Sequence, residues 1–532
     1  MSDLSTDKAV LVRPVPGVTD YRSSASAIAL PAARRIAWPA WTLAACLFLA
    51  PLLIYAPTTF HVYGLRDDYS NLREAHEEPG TILGFCASHA RPIYGLLLQA
   101  SYGQTTSVQN LQWMRLLAGL LLGAISLVSY RSVRALGWSL NAGLCFAALV
   151  VMVPSAQVIA SWAVGWPYAL AALLGIGGFF AAEGAMSPAN TRGRTVAQWS
   201  VALGLMITSV LIYQPSAMFY VVPLAASLIA QRKRSAIQTL RWAGIHLALV
   251  AAALGCAYAL MSALYSIDVF VKSGRIAFEQ QWLEKIGWFQ HEALPNALSL
   301  FVLNDNNHRE QGLYFTGAAL AGVLLIGGVV MEWRRHGRAR GLIWLAGLLA
   351  LPTCAFIVSL VAAERYATYR TIFAMTAVLL CFMVASASAL TEKLDQGVRR
   401  AIAAVVLAVA VVCAQYYPYA LIAVTQGNEW KLIMDGAEHV NLGQNKARIF
   451  AVESTPSDRS TESIYHDEFG SLSSNSEWVP KEMFKRAMHD LRPNVPNLES
   501  RYVFATGPKL PVGQHFDVII DLHRLRRFYV DN

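Results

Sequence analysis

The chain is short of charge. Only 14% of its 532 residues are Asp, Glu, Lys or Arg, while 55% are hydrophobic. A soluble protein carries about 25% charged residues, so a soluble globular enzyme is excluded. Loop cysteines are scarce as well. Cys46, Cys145, Cys256, Cys354, Cys381 and Cys413 all fall inside apolar runs and only Cys86 lies in a loop, which implies no disulfide framework. The first 33 residues are polar, contain Pro and Ser, and lack the pattern of a cleaved signal peptide. Residues 36–60 therefore read as a retained first helix. Ionisable groups are nearly absent from the apolar runs: Arg115 and His246 lie near run ends, and Glu183 at the inner end of the fourth. Mid-membrane charge marks ion and proton pathways because burying it is costly, so its scarcity weakens the case for an ion-coupled transporter. No internal repeat or low-complexity segment is visible.

What the sequence has instead is a series of apolar runs of roughly 20 residues, each long enough to cross ~30 Å of hydrocarbon. Eleven spans are expected, at 36–59, 111–130, 138–157, 165–184, 196–213, 216–231, 242–265, 312–332, 341–361, 369–390 and 400–424. The net charge of +9 falls in short clusters between them, which is orientation information rather than a nucleic-acid surface. Arg34/Arg35 set the N-terminus in the cytoplasm. Arg131/Arg134, Arg192/Arg194, Arg232–Arg234, Arg334/Arg335/Arg338/Arg340 and Lys393/Arg399/Arg400 mark every second loop as inner. The loops 60–110 and 266–311 then face outward, with five acids against three bases and six against four. The segment 1–35 reads as a cytoplasmic tail and 36–424 as the membrane domain.

The last 108 residues, 425–532, have ordinary polarity. Apolar runs at 448–452, 502–505 and 518–520 read as strands and Trp478–Leu491 as an amphipathic helix. A small α/β extracytoplasmic domain is expected on an all-α polytopic bundle.

Unusual polar residues crowd the outer loops. Asp67 and Asp68 follow the first span in the run Gly64-Leu65-Arg66-Asp67-Asp68-Tyr69, ahead of His89, Arg91, Pro92 and Tyr94. The second outer loop holds Gln157, Ser161, Trp162, Trp166, Pro167 and Tyr168, and the third is Tyr213-Gln214-Pro215-Ser216. The fifth reads Glu364-Arg365-Tyr366-Ala367-Thr368-Tyr369-Arg370. A carboxylate pair at the mouth of a bundle is placed to take a proton from a hydroxyl; it is equally the acidic first turn of a solvated helix. Aromatics there offer sugar-stacking faces and are also ordinary interfacial anchors. Arg365 and Arg370 stand where positive charge is otherwise sparse, and guanidinium forks bind phosphate oxygens bidentately. Pairing with Glu364 is the plainer alternative.

These features together resemble the GT-C fold glycosyltransferases that use polyprenyl-phosphate sugars. The likeness is carried by Asp67-Asp68-Tyr69 after the first span, Arg91-Pro92, Tyr213-Gln214-Pro215 after the fifth span, and Glu364-Arg365-Tyr366 opening a late outer loop. The Tyr-Gln-Pro turn and the Arg-Pro pair are similar to the bacterial branch that glucosylates O-antigen and to relatives adding pentoses to envelope glycans or pilins. The resemblance implies an inner-membrane enzyme that moves a sugar from a polyprenyl-phosphate donor to a glycan or protein hydroxyl on the periplasmic face, with inversion at C1. It implies Asp67 or Asp68 as base, Arg365 and Arg370 as ligands of the donor phosphate, and Tyr69, His89, Arg91, Tyr94, Trp162, Trp166, Tyr168, Tyr213, Gln214, Glu364 and Tyr366 around the substrates. Consecutive residues on a helix point about 100° apart, so the two aspartates cannot both be the base. The extra acidic metal-binding cluster of some members has no clear counterpart. The run Asn304-Asp305-Asn306-Asn307-His308 either supplies one or forms a turn, and a divalent metal remains open. Two other readings stand beside the enzyme: a flippase or transporter of lipid-linked sugars, and an O-antigen ligase or polymerase.

Overall fold

The computed structural model describes residues 38–231, 234–305, 311–443, 446–453 and 465–529. The N-terminal tail, Arg232 and the run Asn306–His308 lie outside them. Among the described residues, eight helices are long and apolar enough to cross a membrane: Trp41–Thr59, Val108–Ala135, Ala163–Ala185, Arg192–Ile212, Ala236–Ser266, Gln311–His336, Phe373–Leu390 and Gln396–Glu438. Leu140–Leu149 and Pro154–Ser161 form a ninth if the pair, bent by 47°, is counted as one. The chain is a multi-pass membrane protein. The remaining two expected spans are helical too, but Gln214–Ala230 is short and Arg338–Ala355 begins with two arginines and contains Pro352.

The bend has a local cause. Pro154 cannot donate to the preceding turn, so it ends one helix and opens the next. From Pro154 to Tyr168 the chain is buried in the bundle end rather than looping into solvent. Gln157 and Ser161, expected on an outer loop, are fully buried and bond backbone: Gln157 Nε2 donates to Met152 O at 2.7 Å and Ser161 Oγ to Gln157 O at 2.6 Å.

Helix Phe373–Leu390 runs through the centre, buried all round from Phe373 to Met383. Elsewhere small residues bring backbones together, the packing membrane helices favour. Gly123 shows this: a Cβ there would stand 2.2 Å from Phe48 O of the first helix.

The first long loop, residues 60–110, folds into three short helices, Asp67–Glu77, Thr81–Ser88 and Pro92–Gly103. Its root is fixed by Arg115, which is fully buried yet donates to Thr59 O at 3.2 Å, Tyr63 O at 3.0 Å and His61 O at 2.8 Å. Thr59 is the last residue of the first helix, where a cation meets the negative pole of the helix dipole, and His61 and Tyr63 belong to the turn that follows it.

Helix Gln396–Glu438 runs through residue 425 without a break, passing a π-helical stretch at Tyr417–Val424 that contains Pro418. Beyond it lies a three-stranded parallel sheet of β1 (Ala447–Val452), β2 (Tyr502–Gly507) and β3 (Val518–Asp521), in the order β2-β1-β3. Ala447 pairs with Tyr502 and Ile449 with Val518. Helix Val479–Leu491 makes the crossover from β1 to β2. All three strands and this helix sit where the apolar runs placed them. The crossover helix packs on the first outer loop, with Arg73 Nε 2.8 Å from Glu482.

Candidate functional site

The two adjacent aspartates have opposite surroundings. Asp68 is fully buried and spent on structure: it accepts from Leu65 N at 2.8 Å and from the Tyr102 hydroxyl. Burial pushes its carboxyl up to about 7, against the pull of those bonds and of Arg115. Asp67 opens helix Asp67–Glu77, faces solvent, and its carboxylate has no hydrogen-bond partner among the described residues. Enough protein surrounds it that desolvation raises its carboxyl above the usual range, while Arg370, Arg66 and Arg275 pull it back.

The turn before Asp67 is tightly specified. Gly64 leaves room for the Tyr69 ring, since a Cβ there would lie 2.9 Å from it. The Tyr69 hydroxyl donates to Gly64 O at 3.0 Å, and its ring stacks on Trp430 with centroids 5.4 Å apart. Tyr69 is therefore a wedge under the loop, away from Asp67's open face. Trp162 Nε1 donates to Leu65 O at 3.1 Å. Arg66 itself has φ 41°, ψ −99°, a conformation that costs of order 1–3 kcal/mol for a non-glycine residue.

What holds Arg66 there comes from the tail. Its N–H donates to Ser473 Oγ at 3.0 Å and its guanidinium reaches Glu468 at 3.3 Å and Ser471 Oγ at 3.2 Å. Glu468 also lies 3.1 Å from Arg370, with Asp467 at 3.9 Å. The segment is pinned to the loops that hold Asn304 and Tyr369: His466 N donates to Asn304 O at 2.7 Å, and Tyr369 N to Asp467 at 3.1 Å. Burial raises the Glu468 carboxyl above the usual range, while the two guanidiniums favour its ionised form. A second carboxylate pair thus does stand at the site, contributed by the tail rather than by an outer loop.

Arg370 lies over Trp162 with 4.6 Å to the ring centroid and donates to the Tyr366 hydroxyl at 2.8 Å, and its charge acts on Tyr213. An aromatic stack continues inward. Tyr213 and Tyr168 have centroids 4.0 Å apart, Tyr168 and Tyr94 5.3 Å, and the Tyr94 and Tyr168 hydroxyls lie 2.9 Å apart. Arg91 lies over Tyr213 at 4.8 Å and donates to Gln214 Oε1 at 3.1 Å, while Gln214 Nε2 donates to Ala90 O. Asp67, Arg91, Tyr94, Trp162, Tyr168, Tyr213, Gln214, Tyr366 and Arg370 are therefore one constellation.

Other expected residues stand apart from it. Arg365 is at the rim, 2.8 Å from Glu284 and 3.9 Å from Glu279. Glu364 is exposed, its carbonyl held by Lys285 Nζ at 2.9 Å. His89 ties loops together through Phe85 O at 2.9 Å and Ser273 Oγ at 3.3 Å. Trp166 is buried with its indole N–H unpartnered among the described residues. Sequence reasoning missed Arg66, Arg275, Asp467 and Glu468. Arg66 stands in the quoted acidic run, and Asp467-Glu468 is a visible pair, but its sequence distance from Asp67 hid the association.

One group of side chains among the described residues could hold a metal ion: Glu77, His489 and Glu499, whose ligand atoms lie within 4.8 Å of one another. It sits at the far end of helix Asp67–Glu77, about 15 Å along the axis from Asp67.

No protein-family model and no curated protein matches the chain. Among solved structures it is similar to the oligosaccharyltransferase of Archaeoglobus fulgidus in complex with Zn and sulfate, at 12% identity and TM-score 0.38, over 83% of this chain and 61% of that one. It is also similar to the oligosaccharyltransferase AglB of the same organism in complex with an inhibitory peptide and a dolichol-phosphate, at 12% identity and TM-score 0.41, over 85% of this chain and 64% of that one. The chain thus covers less than two thirds of the length of either.

Proposed function

We propose that this protein is a GT-C type glycosyltransferase of the bacterial inner membrane. It moves a sugar from a polyprenyl-phosphate donor to a hydroxyl of a glycan or protein acceptor on the periplasmic side. The observation that carries this reading is the open, unbonded Asp67 carboxylate at one end of an apolar bundle, in the positive field of Arg370, Arg66 and Arg275.

In this mechanism the acceptor hydroxyl oxygen attacks C1 of the sugar and Asp67 takes its proton. The bond from C1 to the phosphate oxygen breaks, and its electron pair leaves with the lipid phosphate. Arg370 stabilises the charge where it develops, helped by Arg275. Glu468 is the resting counter-ion of Arg370 and gives way to the donor phosphate. Asp68 sets the loop that carries Asp67 and is not the base. Arg365 acts from the rim, and inversion at C1 follows from a single displacement. The region 425–532 positions Arg66 and Arg370 through its 466–473 segment, and the domain division at 424/425 is part of this reading.

The test is turnover of a radiolabelled polyprenyl-phosphate sugar by the purified protein. Release of unglycosylated lipid phosphate with label on an acceptor supports the enzyme. Movement of intact lipid-sugar across the bilayer without its cleavage would support a flippase instead.

A further inference from the structure

A cavity that does not include Asp67 lies between the membrane helices. Helices Leu140–Leu149, Gln311–His336, Phe373–Leu390 and the first turns of Gln396–Glu438 enclose a groove of about 380 Å³. Its walls are apolar, with Leu320, Leu324, Met383 and Val406 among them. From Leu380 to Thr391 it extends about 16 Å along the helix axis, at ~1.5 Å per residue. That is about half of the ~30 Å hydrocarbon thickness, the depth of one leaflet.

One end of the groove is polar, lined by Ser139, Asn141, Thr391 and Arg399. Arg399 Nε is buried with no hydrogen-bond partner among the described residues. Among the described residues no carboxylate forms an ion pair with it: Glu392 is paired with Arg335, Asp395 one turn earlier meets Arg399 only through its backbone carbonyl, and Arg400 adds a further cation. A guanidinium at the edge of hydrocarbon is costly without a counter-ion. Basic pockets between membrane helices recruit anionic headgroups for this reason.

We propose that this groove binds an anionic phospholipid of the leaflet on the Arg399 side, with one acyl chain in the slot and the phosphate on Arg399. Chain length, apolar wall and terminal cation all match one lipid molecule standing in its own leaflet. The surplus of cations at this end selects a headgroup with net negative charge over a zwitterionic one. The site does not depend on the glycosyltransferase reading.

Native mass spectrometry of the detergent-purified full chain, offered equal phosphatidylglycerol and phosphatidylcholine, tests it. The expected result is at least about tenfold preferential retention of phosphatidylglycerol, falling to near parity in Arg399→Gln. A second variant, Leu324→Trp, should lose both lipids by filling the slot while the melting temperature shows it folded. Equal retention of the two lipids by wild type, or an unchanged preference in Arg399→Gln, would overturn the proposal. Displacement of the lipid by inorganic phosphate at matched concentration would also overturn it, reducing the site to one for a free anion.

Discussion

The Glu468 carboxylate lies 3.1 Å from the Arg370 guanidinium, in a pair almost closed to solvent. Glu468 at the same time reaches Arg66 at 3.3 Å, so one tail residue fixes cations on two separate loops. Removing it leaves buried Arg370 with Asp467 as its remaining ion-pair partner, at 3.9 Å. Breaking such a pair from one side costs about 3 kcal/mol or more. Glu468→Gln should therefore lower the melting temperature by several degrees. Donor should restore more stability to this variant than to wild type, because its phosphate replaces the missing counter-ion. An unchanged melting temperature would show that the tail pair does not hold the site.

The two arginines that looked equivalent in sequence should separate. Arg365 is partly exposed and paired at the rim, a setting in which ion pairs are worth about 0–1 kcal/mol. Arg365→Ala should change stability little and raise the donor KM at most a few-fold. Arg370→Ala should lower kcat by about 100-fold or more, the scale for losing a group aimed at developing charge. Steady-state kinetics on the two variants decide this, and equal effects would contradict the placement.

Asp68 gives a stability signature of known sign. Its carboxyl is raised from 3.8 to about 7, so the folded state holds that proton more tightly than the unfolded chain. Stability from this group is greatest below the unfolded value and falls as pH rises between about 4 and 7. The span is on the order of 4 kcal/mol. Asp68→Asn removes this dependence, so the stability difference between wild type and variant should drift with pH across that window. A constant difference would mean Asp68 is not buried as described.

Asp67 titrates in the activity instead. A base works deprotonated, so the rate should fall as pH drops through its folded pKa. Desolvation raises that value above the usual carboxylate range. The acid limb of kcat/KM should accordingly lie above about 4, and an acid limb below that would mean Asp67 is not the group titrating.

Much of the fold was legible because period and length are local properties. Each expected apolar run falls largely on helix within the described residues, some in broken pieces, and β1 to β3 lie on the three short apolar runs of the tail. Span counting was harder where Pro154 divides one apolar run into a bent pair and where Pro352 and the leading arginines weaken another. In the site, hydropathy pointed to the end of the bundle holding Asp67, Trp162, Tyr213 and Arg370. It could not say which of two adjacent aspartates turns inward, because that depends on Tyr102, thirty-four residues away. Nor could it bring Glu468 to Arg66 across 402 residues. Such pairings are fixed by tertiary packing, and no periodicity encodes them.

The most direct measurement is transfer of labelled sugar from a polyprenyl-phosphate donor by wild type, Asp67→Asn and Asp68→Asn, with donor binding measured on the same samples. The account predicts that Asp67→Asn binds donor as wild type does and transfers nothing, while Asp68→Asn keeps measurable transfer. Full activity in Asp67→Asn would contradict it.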